Sequence, residues 1–191
     1  ARLRRQPPKQ GDHYFSRSGL VLAGHNMTAL QAAFKEAEGM GFSTFIITAG
    51  LSGSTDEACS YIIDAITGYR NNNSIRRPIC LLFGGETTVR VAGDGIGGRN
   101  QHLALTMAMK LQDISGVTFL SAGTDGNDGN TEMAGALVDS ETIHDALSMN
   151  VDPARYLQEF DSFNFFKSVG GHVHTGPTMT NVMDIIIAII E

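Results

Sequence analysis

Four glycine-rich polar loops contain most of the residues in this sequence that could do chemistry. They cover residues 84–88, 93–101, 123–131 and 175–181, each at the end of an apolar run or the start of a helical pattern. Glycine lets backbone N–H groups approach a phosphate closely, and a helix N-terminus adds a partial positive charge. Each loop alone is typical of an ordinary turn, but the four together indicate a site for a phosphate or a nucleotide.

Arg99 stands in the first turn of a helix predicted over residues 99–111. The helix dipole disfavours a cation there unless an anion binds beside it. The planar guanidinium offers parallel donors to a phosphate or a carboxylate. Arg99 is therefore a candidate anion ligand, and a solvated side chain that points away from the helix is the alternative.

Asp125 and Asp128 share one of these loops, and Glu86 follows an apolar run. Magnesium–phosphate sites use one or two carboxylates together with substrate oxygens. The three acids are thus candidates for a metal or acid–base role. The two aspartates could instead form Asx turns, which need no ligand.

The other chemical motifs are weak. Residues 93–98 fit the G-x-G-x-x-G pattern of dinucleotide sites, but no clear βαβ unit opens there and no convincing ribose-binding acid follows. His172 and His174 could share a face of an extended segment, yet no third metal ligand is evident. The sequence has no Walker A motif, and neither cysteine has a histidine beside it.

Apolar runs that alternate with helical patterns must position the four loops. Buried or half-exposed strands are predicted over residues 18–24, 42–50, 78–85, 86–93, 116–123 and 181–190. Helices are predicted to begin at the caps Asn26 and Thr55, at Arg99, and at the pair Asp152 and Pro153. The pattern predicts an α/β fold with a mixed, mostly parallel sheet and helices on both faces, in three αβα layers. Ligands of such sheets bind beyond the carboxyl ends of the strands.

The composition is that of a folded, acidic protein. The 191 residues carry a net charge of -6, and 42% are hydrophobic. This argues against nucleic acid or an anionic membrane as the main partner. No apolar run reaches the roughly 18 residues that span a bilayer. Cys59 and Cys80 are too few for a disulfide framework, so we expect reduced core thiols and a cytoplasmic protein, with a mitochondrial location left open.

The chain begins without methionine and opens on the basic segment ARLRRQPPKQ. No secretory signal peptide is recognisable. We interpret residues 1–14 as a flexible linker, residues 15–191 as one domain, and the chain as a fragment of a longer protein.

Three ordered motifs resemble the C-terminal MOFRL domain of class II glycerate kinases: GGETTVRVAGDGIGGRNQHLAL, SAGTDGNDGNTEMAGALVD and TGPTMTNVMDI. The segment GHNMTALQAAFKEAEGMGF is similar to the region that precedes this domain in the same enzymes. The resemblance covers nearly all of residues 15–191. It implies transfer of phosphate from ATP to D-glycerate, usually giving 2-phosphoglycerate, in a cleft between two domains.

The resemblance also implies ligands and partners. ATP, Mg²⁺ and D-glycerate are the expected ligands, and the N-terminal Rossmann-like domain with the family's catalytic lysine is absent from this chain. We therefore expect the isolated chain to be inactive. Some family members bear the older name hydroxypyruvate reductase, so an NAD(P)H-dependent reductase is one alternative. A non-catalytic anion-binding or interaction domain is the other, and a homodimer is left open.

At the matching positions the resemblance implies a catalytic role for Arg99. That residue would bind the glycerate carboxylate or the transferring phosphoryl group. Asp125 is the second catalytic candidate, and Asp125 and Asp128 are the candidates for holding Mg²⁺. The residues expected to bind substrate or phosphate are Gly84, Gly85, Glu86, Thr87, Gly97, Gly98, Asn100, Gln101, Thr124, Asp128, Thr175, Thr178 and Asn181.

The sequence departs from the family pattern at several positions. His102 stands where glutamate is usual, so the resemblance implies no role for this histidine. Met179 and Met183 replace glycine and asparagine, and Asn130 and Glu132 replace proline and aspartate.

Overall fold

Six strands and six helices build the part of the chain that the structure, a computed structural model, describes: residues 7–9, 11–17, 19, 21–90 and 92–191. The strands are β1 (Ser43–Leu51), β2 (Ile79–Gly85), β3 (Val117–Gly123), β4 (Gly135–Asp139), β5 (His172–Val173) and β6 (Asp184–Ile190). The helices are α1 (Asn26–Gly39), α2 (Thr55–Arg70), α3 (Arg99–Leu111), α4 (Thr142–Ser148), α5 (Pro153–Gln158) and α6 (Ser162–Val169). A single 3-10 turn, His13–Phe15, precedes them.

The strands form one mixed sheet in the order β1-β2-β6-β3-β4-β5. Among the described strands only β1 and β2 pair in parallel, because β6 lies between β2 and β3 and runs antiparallel to both. The pairs β3–β4 and β4–β5 are antiparallel as well. The α/β class and the mixed sheet are confirmed, whereas the expected predominance of parallel pairs is wrong. A continuous apolar run indicates that both faces of a strand are covered, as they are in β2. It does not indicate the direction of the neighbouring strands.

Helices cover both faces of the sheet, as predicted, but unequally. The larger core cluster lies under α2, α3 and the shorter helices, with Phe83 and Phe119 at its centre. On the opposite face α1 covers a smaller cluster of Leu30, Cys80 and Leu82. Both cysteines are buried and free, and burial raises the pKa of each thiol to about 11. The expectation of core thiols is thus confirmed, and neither is an activated nucleophile.

Three predicted helix starts are close to the observed ones. The helix α3 begins at Arg99 as predicted, and Asp152 caps α5 with Pro153 as its first residue. The helix α2 is capped by Ser54, one residue before the predicted cap, in a capping box with Glu57. The helix α1 does not use Asn26 as its cap, because His25 occupies that position and the Asn26 side chain points inward.

Two predicted strands do not form. Within 18–24, Ser18 and Leu20 lie outside the described residues, and the rest is extended chain in which Val21 is 88% exposed. In 86–93 only Thr88 makes a bridge, to Ser54, and Val91 lies outside the described residues. The strands β4 and β5 were not predicted. In the described part of the chain no helix is long and apolar enough to cross a membrane.

Candidate functional site

Arg99 is held between two carboxylates at the start of α3. Its Nε and Nη2 donate to the two carboxylate oxygens of Asp184 at 2.7 and 2.9 Å, and its Nη1 lies 2.9 Å from Oε1 of Glu86. The Asp184 side chain is 3% exposed, whereas those of Arg99 and Glu86 are 34% and 51% exposed. The carboxylates of Asp184 and Glu86 therefore supply the negative charge that a cation at a helix N-terminus needs beside it.

This pairing fixes the charge of Arg99 without using all of its donors. The hydrogen bonds to Asp184 raise the pKa of Arg99 above its ordinary value, and the nearby charge of Glu86 acts in the same direction. Two of the five guanidinium N–H groups hydrogen-bond to Asp184, and Nη1 forms an ion pair with Glu86, so at least one N–H on each Nη has no hydrogen-bond acceptor among the described residues. The side chain can thus still bind an external oxyanion while its orientation is fixed.

A cavity of about 450 Å³ lies beside Arg99. Its lining includes five residues predicted to bind substrate or phosphate, which are Glu86, Thr87, Gly97, Gly98 and Arg99. It also includes residues that the sequence did not single out as ligands, among them His102, Phe160 and Ser162. The loops 84–88 and 93–101 therefore meet at one cavity, which Gly129 and Asn130 of the loop 123–131 also line.

Most glycines of the loop 93–101 allow close packing of the protein on itself. An added Cβ at Gly93 or Gly95 would meet the backbone around Glu159 at 2.5 Å or less, and one at Gly98 would lie 2.4 Å from Asp128. The N–H groups of Gly95 and Ile96 donate to Glu159 and Asp161. The N–H groups of Gly98 and Arg99, at the tip of α3, lack a partner among the described residues, as do those of Gly93 and Asp94 earlier in the loop. Gly98 and Arg99 line the cavity, and phosphate binding by their N–H groups stays a prediction.

The buried glycines at the end of β2 have a similar explanation. A Cβ on Gly84 would come within 1.7 Å of Oδ1 of Asn26, and one on Gly85 would come within 2.1 Å of the Leu51 carbonyl oxygen. Gly85 also has a φ of +141°, which side chains rarely adopt. These two glycines are required for packing, and their predicted contact with phosphate stays a prediction.

Asp128 is an internal cap of α3. Its Oδ1 accepts from the N–H and Nδ2 of Asn100, and its Oδ2 accepts from the N–H and Nε2 of Gln101, at 2.9–3.3 Å. A carboxylate has about four lone-pair sites, and all of them are filled. Burial raises the pKa of Asp128, and these hydrogen bonds act in the opposite direction. The geometry therefore favours a structural role for Asp128 over the predicted metal role.

Asn100 and Gln101 support this cap rather than face the cavity. They are 2% and 0% exposed. Oδ1 of Asn100 accepts a 2.6 Å hydrogen bond from Ser121, and Nε2 of Gln101 also donates to Thr131. These buried amides form an internal network that fixes the start of α3, and their predicted contact with substrate stays a prediction.

The loops 123–131 and 175–181 line a second cavity, of about 510 Å³, together with α1. Thr124, Thr175 and Thr178 contribute to its wall. Thr178 donates through its hydroxyl to the Thr124 carbonyl oxygen. The four loops are thus divided between two cavities, and the loop 123–131 lines both.

Asp125 joins these two loops. One of its oxygens accepts from the N–H of Asn127, as in an Asx turn, and the other accepts from Nδ2 of Asn181 at 3.1 Å. Each oxygen therefore keeps a lone pair. The described residues contain no group of three or more candidate metal ligands, and the His172–His174 alternative gains no support.

Sequence reasoning missed Asp184, the main partner of Arg99. Its signal was a single acid that precedes six apolar residues in β6, because a charge at the buried end of a strand requires a partner. It also missed the ring stacking of His102 on Phe160, with centroids 4.9 Å apart and planes 6° from parallel. Nδ1 of His102 is buried and makes no hydrogen bond in the described structure.

We expect His102 to make the protein less stable as the pH falls. Burial lowers the pKa of His102, while Asp56 acts weakly in the opposite direction. The unfolded chain therefore binds more protons than the folded one, and stability is lost as the pH falls through the unfolded value of about 6.5. Urea unfolding between pH 7.5 and 5.5 should show a smaller loss for His102→Gln than for the wild type. The difference cannot exceed about 1.4 kcal/mol per pH unit.

The exposed residue His144 provides the control, as His144→Gln tests the effect of losing an imidazole elsewhere. Parallel stability curves for the wild type and His102→Gln would contradict the prediction.

Comparison with known proteins identifies relatives of this chain. The model of the MOFRL family matches residues 79–184. The D-glycerate 2-kinase of Thermotoga maritima is 42% identical over 178 residues, which are 93% of this chain and 43% of that protein. The glycerate 2-kinase of Pyrococcus horikoshii is 36% identical over 171 residues, 88% of this chain and 39% of that protein.

The fold agrees as well. A crystal structure of a glycerate kinase from Thermotoga maritima matches with a TM-score of 0.84 at 43% identity, covering 88% of this chain and 41% of that one. The chain thus spans less than half the length of these relatives. With more than half of its residues matched by the family model, this chain belongs to the MOFRL family.

Proposed function

We propose that the protein containing this chain is a glycerate kinase that transfers a phosphoryl group from ATP to D-glycerate. Glycerate kinases among the relatives support this substrate class. The observation that carries the proposal is the arrangement at the tip of α3. There Arg99, fixed by Asp184 and with free donors on both Nη atoms, adjoins two unpaired N–H groups at a cavity.

This arrangement suits phosphoryl transfer. The reaction depends mostly on positioning and on neutralising the oxygens of the transferred group. Preorganised donors stabilise charge that develops in the transition state, because they need no reorientation during the reaction. Arg99 together with the N–H groups of Gly98 and Arg99 would bind the phosphoryl oxygens or the glycerate carboxylate.

ATP and Mg²⁺ are the proposed cofactors. A Mg²⁺ ion carried by the nucleotide phosphates needs only one or two protein carboxylates. The lone pairs left on Asp125 fit that requirement, and the filled ones on Asp128 do not. Mg²⁺ would neutralise phosphate charge when bound. Asp125 would contribute one ligand and be oriented by Asn181.

Replacing Asp125 by asparagine should weaken the dependence on magnesium. We expect the half-saturating Mg²⁺ concentration to rise about tenfold, as is common when metal-site groups are altered. Titration of activity with Mg²⁺ at saturating ATP measures this. Asp113→Asn, at an exposed position after α3, is the matched control. An unchanged magnesium titration would remove Asp125 from the metal site.

The rest of the protein is the proposed partner of this chain. Since the chain spans less than half the length of its relatives, we propose that the cavity beside Arg99 forms one wall of a cleft that a second domain completes. The isolated chain would then be inactive. The cytoplasmic location and a homodimer stay predictions.

The proposed function is tested by incubating the complete protein with D-glycerate, ATP and Mg²⁺. We expect formation of ADP that depends on D-glycerate, with the phosphorylated position read from ³¹P NMR. The isolated chain should give no turnover. Absence of ADP formation by the complete protein, together with oxidation of NADH in the presence of hydroxypyruvate, would instead identify a reductase.

A further inference from the structure

Asn26 makes a contact that links α1 to the start of β6. It is the first residue of α1 and is 2% exposed. Its Nδ2 donates both hydrogens across the fold, to the carbonyl oxygen of Val182 at 2.8 Å and to that of Asp184 at 2.9 Å. An uncharged side chain with two N–H donors on one atom is suited to bridging two carbonyl oxygens.

The two carbonyl groups flank a strained residue. Met183 lies between them with a φ of +69°, in the left-handed region that non-glycine residues rarely adopt. From the other side, Thr124 donates to the Met183 carbonyl oxygen through its N–H and hydroxyl, and its hydroxyl accepts from the N–H of Val182. Such strain persists only where surrounding contacts over-determine the backbone. The turn 182–184 is therefore clamped by Asn26 and by Thr124.

The clamped turn leads directly into Asp184, the first residue of β6, whose carboxylate holds Arg99. We infer that Asn26 is a positioning residue for Arg99, acting through the backbone of Val182–Asp184. Without the clamp Met183 relaxes toward negative φ and the carboxylate of Asp184 turns away from the guanidinium. Asn26 lies outside the matched segment 79–184.

The surroundings of Asn26 support a dedicated clamp over simple filling of space. Its Oδ1 is buried and has no partner among the described residues, which is costly. The same oxygen leaves no room for a side chain at Gly84. An apolar residue would avoid the unpaired oxygen but would lose both donors to the turn.

The direct readout is the Nε–H signal of Arg99 in the complete protein labelled with ¹⁵N-arginine. The paired Nε–H should be shifted downfield and exchange slowly, and Arg99→Lys assigns it. In Asn26→Ala we expect its exchange to be at least tenfold faster, and in the milder Asn26→Ser to be intermediate. Ile66→Val, a core truncation toward the far end of α2, controls for general destabilisation. An unchanged Arg99 signal in both Asn26 variants would overturn the inference.

Kinetics supply the second test, which rests on the proposed function. Asn26→Ala should lower kcat for D-glycerate phosphorylation at least tenfold, with the KM for ATP within twofold. In a Met183→Gly background the turn is no longer strained, so Asn26→Ala should lower kcat less than threefold. Equal losses in both backgrounds would overturn the role of the strained turn. If the complete wild-type protein lacked glycerate kinase activity, the proposed function would be refuted. The positioning role of Asn26 would still stand if the Asn26 variants accelerated exchange of the Arg99 signal.

Discussion

Replacing Arg99 with alanine in the complete protein is expected to reduce kcat for D-glycerate phosphorylation by about a thousandfold. The reason is loss of a preorganised donor group, for which reductions of about 10² to 10⁵ are typical. Asp184 holds the guanidinium in a fixed orientation by two hydrogen bonds, and alanine removes this preoriented group. Initial rates of ADP formation at saturating ATP measure the effect.

Arg99→Lys separates charge from geometry. Lysine keeps the positive charge but lacks the planar fork that spans both oxygens of Asp184, so we expect recovery of no more than about tenfold over alanine. Arg76→Ala, an exposed arginine away from the cavity, should retain wild-type activity. Turnover by Arg99→Ala within a few-fold of the wild type would show that Arg99 does not act in phosphoryl transfer.

Arg99→Ala should also lower the free energy of unfolding of the protein. Loss of Arg99 leaves Asp184 buried and unpaired, which costs about 3–5 kcal/mol for fully buried pairs. A third of the Arg99 side chain is exposed, so we expect about 2–3 kcal/mol after screening by solvent. Urea unfolding of Arg99→Ala and of Arg99→Ala/Asp184→Asn measures this, since the second variant removes the unpaired charge and should recover part of the loss.

The sequence predicted the position of the cavity beside Arg99 better than it predicted the hydrogen-bond partners of Arg99. Glycine-rich loops at strand ends and an arginine in a first helical turn correctly located the start of α3 and the cavity beside it. The local pattern required an anion near Arg99 but could not reveal that Asp184, 85 residues further along the chain, supplies it. Partners so distant in sequence are fixed only by the topology that inserts β6 between β2 and β3.

The limits on the fold prediction are physical as well. Hydrophobic patterns report how strands are covered, so they located β1, β2, β3 and β6 but not strand direction. The short strands β4 and β5 lie toward one edge of the sheet, and their sequences alternate too briefly to be distinguished from loops. Residues 86–93 alternate like a strand, yet the N–H of Thr88 donates to the Gly53 carbonyl oxygen, and residues 86–89 border the cavity instead.

The glycines show how one composition serves two purposes. Phosphate-binding loops and tightly packed loops both require small residues, because in each a polar group must approach the backbone. At Gly98 the approaching group is the carboxylate of Asp128, which accepts from the N–H groups of Asn100 and Gln101 and leaves those of Gly98 and Arg99 for an external anion. A single sequence cannot distinguish an external anion from an internal one.

Asp128→Ala is expected to cause the largest loss of stability among single substitutions at this site, about 3–5 kcal/mol. The carboxylate satisfies four donors from two residues of α3, and its removal leaves buried amides and the helix N-terminus unpaired. Because Arg99 belongs to the same helical turn, kcat should fall as well. Urea unfolding and ADP formation by the complete protein measure the two effects.

Asp139→Ala is the matched control, because Asp139 accepts from the N–H groups of Glu141 and Thr142 at the start of α4 but lies away from the cavity. We expect that variant to lose about 1 kcal/mol, the usual contribution of a capping residue, and to keep its activity. Asp128→Asn preserves shape but turns an amide NH₂ group toward two donors, so it should be nearly as unstable as alanine. A loss below about 1 kcal/mol for Asp128→Ala would mean that α3 does not depend on this internal cap, and a role of Asp128 in ligand binding would regain support.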